Sequence, residues 1–164
     1  MSEQTGLIYD IVADSSQDGP GERTVVLFKG CSLACWWCSE AHIYSTAMEV
    51  KIEKERCVDC ENCIDVCPME ANVVQIVGDT KYIVLDENVC IGCGQCLQVC
   101  QGNAREFIGK QMQVAQLMDI IKTNQSGFAA TGGAVTFSGG EPFIQSKFLA
   151  AVLTACRQAG IHTA

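Results

Sequence analysis

Basic residues are scarce in this chain: 11 Lys and Arg stand against 19 Asp and Glu, a formal net charge of −8 over 164 residues. A surface so short of cations excludes nucleic acid as the default partner, because phosphate binding needs a basic face. No run of 18 apolar residues occurs, which excludes a membrane-spanning helix. The first 30 residues, interrupted by Glu3, Asp10, Asp14, Asp18, Glu22 and Arg23, hold no apolar stretch of the kind a secretory signal needs. What the chain has in excess is cysteine, twelve in all. In a short secreted chain that count reads as a disulfide scaffold. Without signs of secretion it points to metal ligands or redox centres in a reducing, cytoplasmic compartment. The length is that of one domain with a sizeable core.

Cysteine spacing organises the chain. Cys57, Cys60, Cys63 and Cys67 form one quartet and Cys90, Cys93, Cys96 and Cys100 another, each ligand 33 residues from its counterpart, as are Ala71 and Ala104. This is an internal repeat. Its C-x2-C-x2-C-x3-C rhythm is that of bacterial ferredoxins, where it holds 4Fe-4S clusters and the fourth cysteine ligates the other cluster. On that rule Cys57, Cys60 and Cys63 share a cluster with Cys100, and Cys90, Cys93 and Cys96 share one with Cys67. Pro68 follows the first quartet and Gln101 the second; proline there shapes a turn and binds no iron. Zinc is the competing reading, although its sites use separated C-x2-C pairs. Between the quartets, Val73 to Val77 and Thr80 to Leu85 flank Gly78-Asp79, the pattern of a hairpin. The nearby Glu53, Glu55, Asp59, Glu61 and Asp65 read as a solvated face that could also guide an electron donor.

The flanking segments have another texture. Thr24 to Phe28 is a continuous apolar run suited to a buried parallel strand. Val114, Leu117, Met118 and Ile121 recur at helical spacing. Ala134 to Phe137 reads as a second strand ending at Ser138-Gly139-Gly140-Glu141-Pro142. Leu149, Val152, Leu153 and Cys156 mark another helix face, which makes Cys156 a core thiol, with Gly160 as its stop. Ile161 to Ala164 reads as the start of a third strand. Such alternation predicts an α/β layer or partial barrel with ligands at the C-terminal ends of the strands. The segments are then residues 1–46, a compact unit at 47–108, and 109–164.

Cys31, Cys35 and Cys38 lie just past the first strand, in C-x3-C-x2-C spacing. Three local thiolates on a four-iron cluster leave one iron open to an exogenous molecule. A zinc site completed by His42 and a cluster with a remote fourth ligand are the alternatives. Trp36 reads as loop packing, and Gly-Gly-Glu-Pro taken alone is a strand-to-helix turn.

Taken together, the motifs resemble a family. Gly30-Cys31-Ser32-Leu33-Ala34-Cys35-Trp36-Trp37-Cys38 looks like the radical S-adenosylmethionine (SAM) signature. Asp18-Gly19-Pro20-Gly21-Glu22-Arg23-Thr24, the two-quartet unit and Gly133 to Pro142 make the whole similar to glycyl-radical-enzyme activating enzymes, the group that includes pyruvate formate-lyase activase. Ser39-Glu40-Ala41-His42 departs from the Asn-Pro-Glu-like continuation common in that group.

The resemblance implies the N-terminal part of a radical SAM partial (β/α) barrel with an inserted ferredoxin-like domain holding two 4Fe-4S clusters. It implies three 4Fe-4S clusters in all, with Cys31, Cys35 and Cys38 holding the catalytic one and SAM's amino and carboxylate groups on the open iron. Trp37, Cys38 and Ser39 would lie by the adenine, and Gly139, Gly140 and Glu141 would receive the methionine amino group. The implied reaction is reductive cleavage of SAM to a 5'-deoxyadenosyl radical that takes a hydrogen from a glycine of a partner glycyl radical enzyme, under anaerobic conditions. A flavodoxin or ferredoxin-like protein would donate electrons; no nucleic acid or membrane partner is expected. An iron-sulfur electron-transfer protein and a radical SAM enzyme acting on a small molecule are the alternatives. Family members continue beyond Ala164, so an N-terminal fragment is expected.

Overall fold

The computed structural model of the chain describes residues 4–16, 18–38 and 41–164. In chain order the elements are strands β1 (Thr5–Ser15) and β2 (Arg23–Phe28), β3 (Glu49–Ile52), helix α1 (Asn62–Asp65), strands β4 (Asn72–Val77) and β5 (Thr80–Leu85), and helix α2 (Gln95–Gln98). Strands β6 (Arg105–Ile108) and β7 (Lys110–Gln113), helices α3 (Val114–Thr123) and α4 (Gln125–Thr131), strand β8 (Ala134–Gly139) and helix α5 (Ser146–Gln158) follow. The chain forms two compact units, residues 1–46 with 109–164, and residues 47–108. Among the described residues no helix is long and apolar enough to cross a membrane.

The first unit is a four-stranded sheet in the order β7-β1-β2-β8. The apolar run of β2 makes it a buried central strand, parallel to β8 in a register that pairs Phe28 with Gly139. Along the other edge of β8, Thr163 makes a parallel bridge to Val135. The remaining pairings are antiparallel, β1 with both β2 and β7, so the expected parallel layer extends only from β2 outward through β8. The long β1 escapes a periodicity reading because only its first half is buried, Asp10 and Asp14 interrupt it, and its register shifts twice along β2.

Helix α3 starts on a capping box between Gln113 and Gln116, which satisfies two orphan N–H groups reciprocally. Its Leu117, Met118 and Ile121 meet Phe148, Val152 and Cys156 of α5 and Val26 and Val135 of the sheet in one core. Cys156 is fully buried, its Sγ 3.6 Å from Met118 Sδ. Leu153, expected on the same apolar face, is instead 37% exposed at the edge of the helix contact. Leu117→Ala is therefore expected to lower the unfolding free energy by about 2–5 kcal/mol, and Leu153→Ala by well under that, in denaturant titrations of the whole chain.

The second unit carries two antiparallel pairs, β3 with β6 and β4 with β5. The β4–β5 hairpin turns at Gly78-Asp79 as its sequence predicts, with Val77 opposite Thr80. Little of it is buried beyond Asn72 and Ile83. This unit's core is small and made partly of thiols: Val50, Ile83, Cys63 and Cys96, with Cys57 packed against them.

Candidate metal centres

In residues 47–108 the sequence repeat is also a backbone repeat. Left-handed residues occur at Asp59 and Gly92 (φ 52° and 65°), Glu61 and Gly94 (61° and 74°), and Glu70 and Asn103 (53° and 47°), each pair in matching positions. Four-residue helices α1 and α2 follow the second pair and carry the third cysteine of each quartet, Cys63 and Cys96. Left-handed Asp and Glu cost on the order of 1–3 kcal/mol each, so the turns persist because the surrounding structure holds them. The second repeat has glycine where the first has Asp59 and Glu61, for lack of space. A Cβ at Gly92 would stand 2.1 Å from Met48 O, and one at Gly94 2.4 Å from Phe107 Cζ.

The cysteine surroundings suit anionic sulfur. Ala71 N donates to Cys67 Sγ at 3.3 Å, Ala104 N to Cys100 Sγ at 3.1 Å, and Gly92 N to Cys90 Sγ at 3.4 Å. Burial acts to raise the Cys67 pKa, but the N–H groups of Met69, Ala71, Asn72 and Glu70 outweigh it and hold the thiol below its ordinary value. Burial pushes the Cys63 and Cys96 thiols up, opposed in both by the charge and hydrogen bonding of Arg105. Cys67, Cys90, Cys93 and Cys96 line a single cavity with Val50 and Leu85, so the fourth cysteine of the first quartet stands with three of the second. Cys57 lies beside Cys63. Among the described residues no three His, Cys, Asp or Glu side chains converge as one metal ion requires. A four-iron cluster needs no such convergence, since each thiolate binds a different iron.

The second site lies at the C-terminal ends of β2 and β8. After Phe28 the chain passes through buried Lys29, whose Nζ donates to His42 O at 2.7 Å. A return segment then pairs with the start of the cysteine loop: Gly30 N donates to Ile43 O at 2.7 Å and Cys31 N to Tyr44 O at 3.1 Å. Cys38 N donates to Cys35 O at 3.0 Å, closing the turn that carries the second and third thiols. Cys31 and Cys35 are half-buried and Cys38 is exposed. The Tyr44 hydroxyl hydrogen-bonds Cys38, and that bond, with burial and the charges of Cys38, Cys31 and Cys35, pushes its pKa up to about 12. All three cysteines thus lie around Tyr44, a residue that carries no signal in the sequence. His42 is exposed.

Trp36 is 90% exposed and Trp37 74%, touching edge to face with centroids 6.1 Å apart. Trp36 is therefore not the loop packing expected of it. Ser39 lies outside the described residues.

The Gly-Gly-Glu-Pro loop joins the cysteine loop directly. Gly140 N donates to Phe28 O at 2.8 Å and Glu141 N to Gly30 O at 2.9 Å. A Cβ at Gly140 would lie 2.1 Å from Gly30 O, so backbone-on-backbone packing by itself requires glycine here. Glu141 Oε1 accepts Phe143 N at 2.9 Å. Gln145, which carries no motif signal in the sequence, ties Leu7 and Lys29 together through both ends of its amide. The Asp18 to Thr24 stretch lies at the opposite end of the sheet. There buried Arg23 donates to Pro20 O, Val135 O and Thr136 Oγ1, which makes the stretch scaffold.

Comparison with known proteins bears on both sites. Residues 49–101 match the family described as 4Fe-4S dicluster domain. The chain is 43% identical over 159 residues to trans-4-hydroxy-L-proline dehydratase activating enzyme of Clostridioides difficile, covering 96% of this chain and 51% of that protein. It is 35% identical over 164 residues to choline trimethylamine-lyase activating enzyme of Oleidesulfovibrio alaskensis (100% and 53%). It is 37% identical over 159 residues to benzylsuccinate synthase activating enzyme of Thauera aromatica (96% and 48%). The chain spans about half the length of the curated relatives it matches.

Proposed function

We propose, on the premise that nearly the whole of this chain is homologous to activating enzymes of glycyl radical enzymes, that it cleaves SAM reductively to generate a glycyl radical on a partner enzyme. The observation that carries this reading is the junction of two loops at the ends of adjacent parallel strands. Glu141 N bonds Gly30 O, one residue before the first thiol of a three-cysteine set. A ferredoxin has no use for either loop.

On this reading Cys31, Cys35 and Cys38 would hold a 4Fe-4S cluster, and three protein thiolates would leave one iron for the amino and carboxylate groups of SAM. Such a cluster would supply the electron for reductive cleavage of SAM to methionine and a 5'-deoxyadenosyl radical, the species that would take a hydrogen from a glycine of the partner. The protein's part is placement. Tyr44 donates its hydroxyl to Cys38 and orients that thiolate. The exposed faces of Trp37 and the chain at Cys38 and Ser39 receive the adenine. Gly139, Gly140 and Glu141 receive the methionine ammonium through acceptors, since the N–H groups of Gly140 and Glu141 are already engaged by Phe28 O and Gly30 O. Carbonyl oxygens and the Glu141 carboxylate are the right partners for a cation.

The strands belong, on the same reading, to a partial (β/α) barrel into which residues 47–108 are inserted. That unit holds two further 4Fe-4S clusters through Cys57, Cys60, Cys63 and Cys100 and through Cys90, Cys93, Cys96 and Cys67. Clusters held there would supply a relay for electrons from a flavodoxin or ferredoxin-like donor.

Anaerobic reconstitution with iron and sulfide, followed by SAM and dithionite, tests the proposal. The expected products are 5'-deoxyadenosine and methionine in equal amounts. A preparation holding about twelve irons per chain that forms no 5'-deoxyadenosine contradicts it.

A further inference from the structure

We propose that Arg105 is a cation shared by the two quartets, a positioning residue that raises the reduction potentials of both clusters held in residues 47–108. The inference rests on the cluster reading of those quartets. Arg105 opens β6 and is only 7% exposed. Its Nη2 donates to Cys63 Sγ at 3.0 Å, and Cys96 packs with Cys63 in the same buried cluster, within the field of the guanidinium's charge. These are the two buried cysteines of the eight, one from each quartet, each the third ligand of its set and each on its own short helix. A single guanidinium therefore reaches one ligand of each proposed cluster.

The repeat makes this placement informative. In the first copy the matching position is Asn72, also buried, which donates to Cys63 O at 2.8 Å. At this buried position the two copies thus differ in charge, neutral in one and cationic in the other. Arg105 Nη1 is buried without a hydrogen-bond partner. A buried guanidinium with an unsatisfied donor is costly unless an anion stands beside it. Thiolates and cluster sulfide are such anions, and the forked donor set of arginine suits several acceptors at once. Reduction adds negative charge to a cluster. A fixed cation in a low-dielectric surround stabilises the reduced form, and charge and hydrogen bonds at the sulfurs are what set such potentials.

The test is a redox titration followed by electron paramagnetic resonance on the full chain carrying Cys35→Ala, so that only the two clusters of residues 47–108 contribute, with iron analysis alongside. Adding Arg105→Gln is expected to leave the iron content unchanged. Both midpoints should fall by at least a tenfold change in the one-electron equilibrium, about 59 mV. Adding Arg105→Lys, which keeps the charge, should hold both near their starting values. A loaded Arg105→Gln protein with unchanged midpoints, or with only one moved, overturns the proposal. If Arg105→Gln loses iron, Arg105→Lys decides. Recovery of both iron and midpoints supports the role of the charge, and failure to recover either overturns it. A protein with native Arg105 that binds no iron in residues 47–108 would instead refute the cluster reading itself.

Discussion

Cys35→Ala is expected to abolish SAM cleavage while leaving the fold and the two clusters of residues 47–108 in place. Bound iron should fall from about twelve to about eight per chain. Cys35 is the middle member of the triad, half-buried, and its carbonyl accepts Cys38 N at 3.0 Å in the turn that sets the spacing of the last two thiols. A cluster with one open iron depends on three thiolates. Removing one leaves two protein ligands, and no described cysteine of the same unit can substitute, since Cys156 is sealed in the core against Met118. Alanine is tolerated by the backbone, and the site has little packing to lose. The expected loss is therefore chemical, read as absent 5'-deoxyadenosine with unchanged thermal unfolding. Cleavage that persisted in this variant would remove the triad from the account.

Gly140→Ala is expected to be nearly as damaging by a different route. The added Cβ would stand 2.1 Å from Gly30 O and 3.2 Å from Phe28 O, both backbone atoms that cannot swing away. The loop must retreat, at a cost of about 1–3 kcal/mol for the overpacking. It also endangers the bonds from Gly140 N and Glu141 N, each contributing about 1 kcal/mol. Retreat carries Glu141 away from the cysteine loop. The variant should keep about twelve irons yet lose the change in the cluster's spectrum on adding SAM. A protein that bound SAM normally would show that the loop junction is dispensable.

The cysteine repeat was the most legible part of the chain because its information is exact spacing, which no tertiary context overrides. The structure adds that the repeat extends to three pairs of left-handed residues. Strands β2 and β8 and helices α3 and α5 were legible from apolar runs and helical periodicity. Strand β1 was not, since half of it is exposed and acidic residues break its alternation. Strands β7, β3 and β6 are four residues each, too short for periodicity to speak. The motif alone points Gly139 and Gly140 toward a ligand; Gly140 is equally required by its approach to the backbone at Gly30 and Phe28. Tyr44 and Arg105 had no sequence signal of their own. Only alignment of the two repeats puts Arg105 opposite Asn72, and only the fold shows that both are buried. Contacts between residues distant along the chain, such as Arg105 with Cys63, carry no periodicity to read.

The proposed function turns on whether a cluster held by Cys31, Cys35 and Cys38 would offer SAM an open iron. Electron-nuclear double resonance on the reduced, reconstituted chain, with SAM labelled by 17O in its carboxylate and 15N in its amino group, tests this most directly. The prediction is resolved hyperfine coupling of both labels to the cluster, lost in Cys35→Ala. Absence of coupling in the fully loaded protein, or coupling that survives in Cys35→Ala, would contradict it.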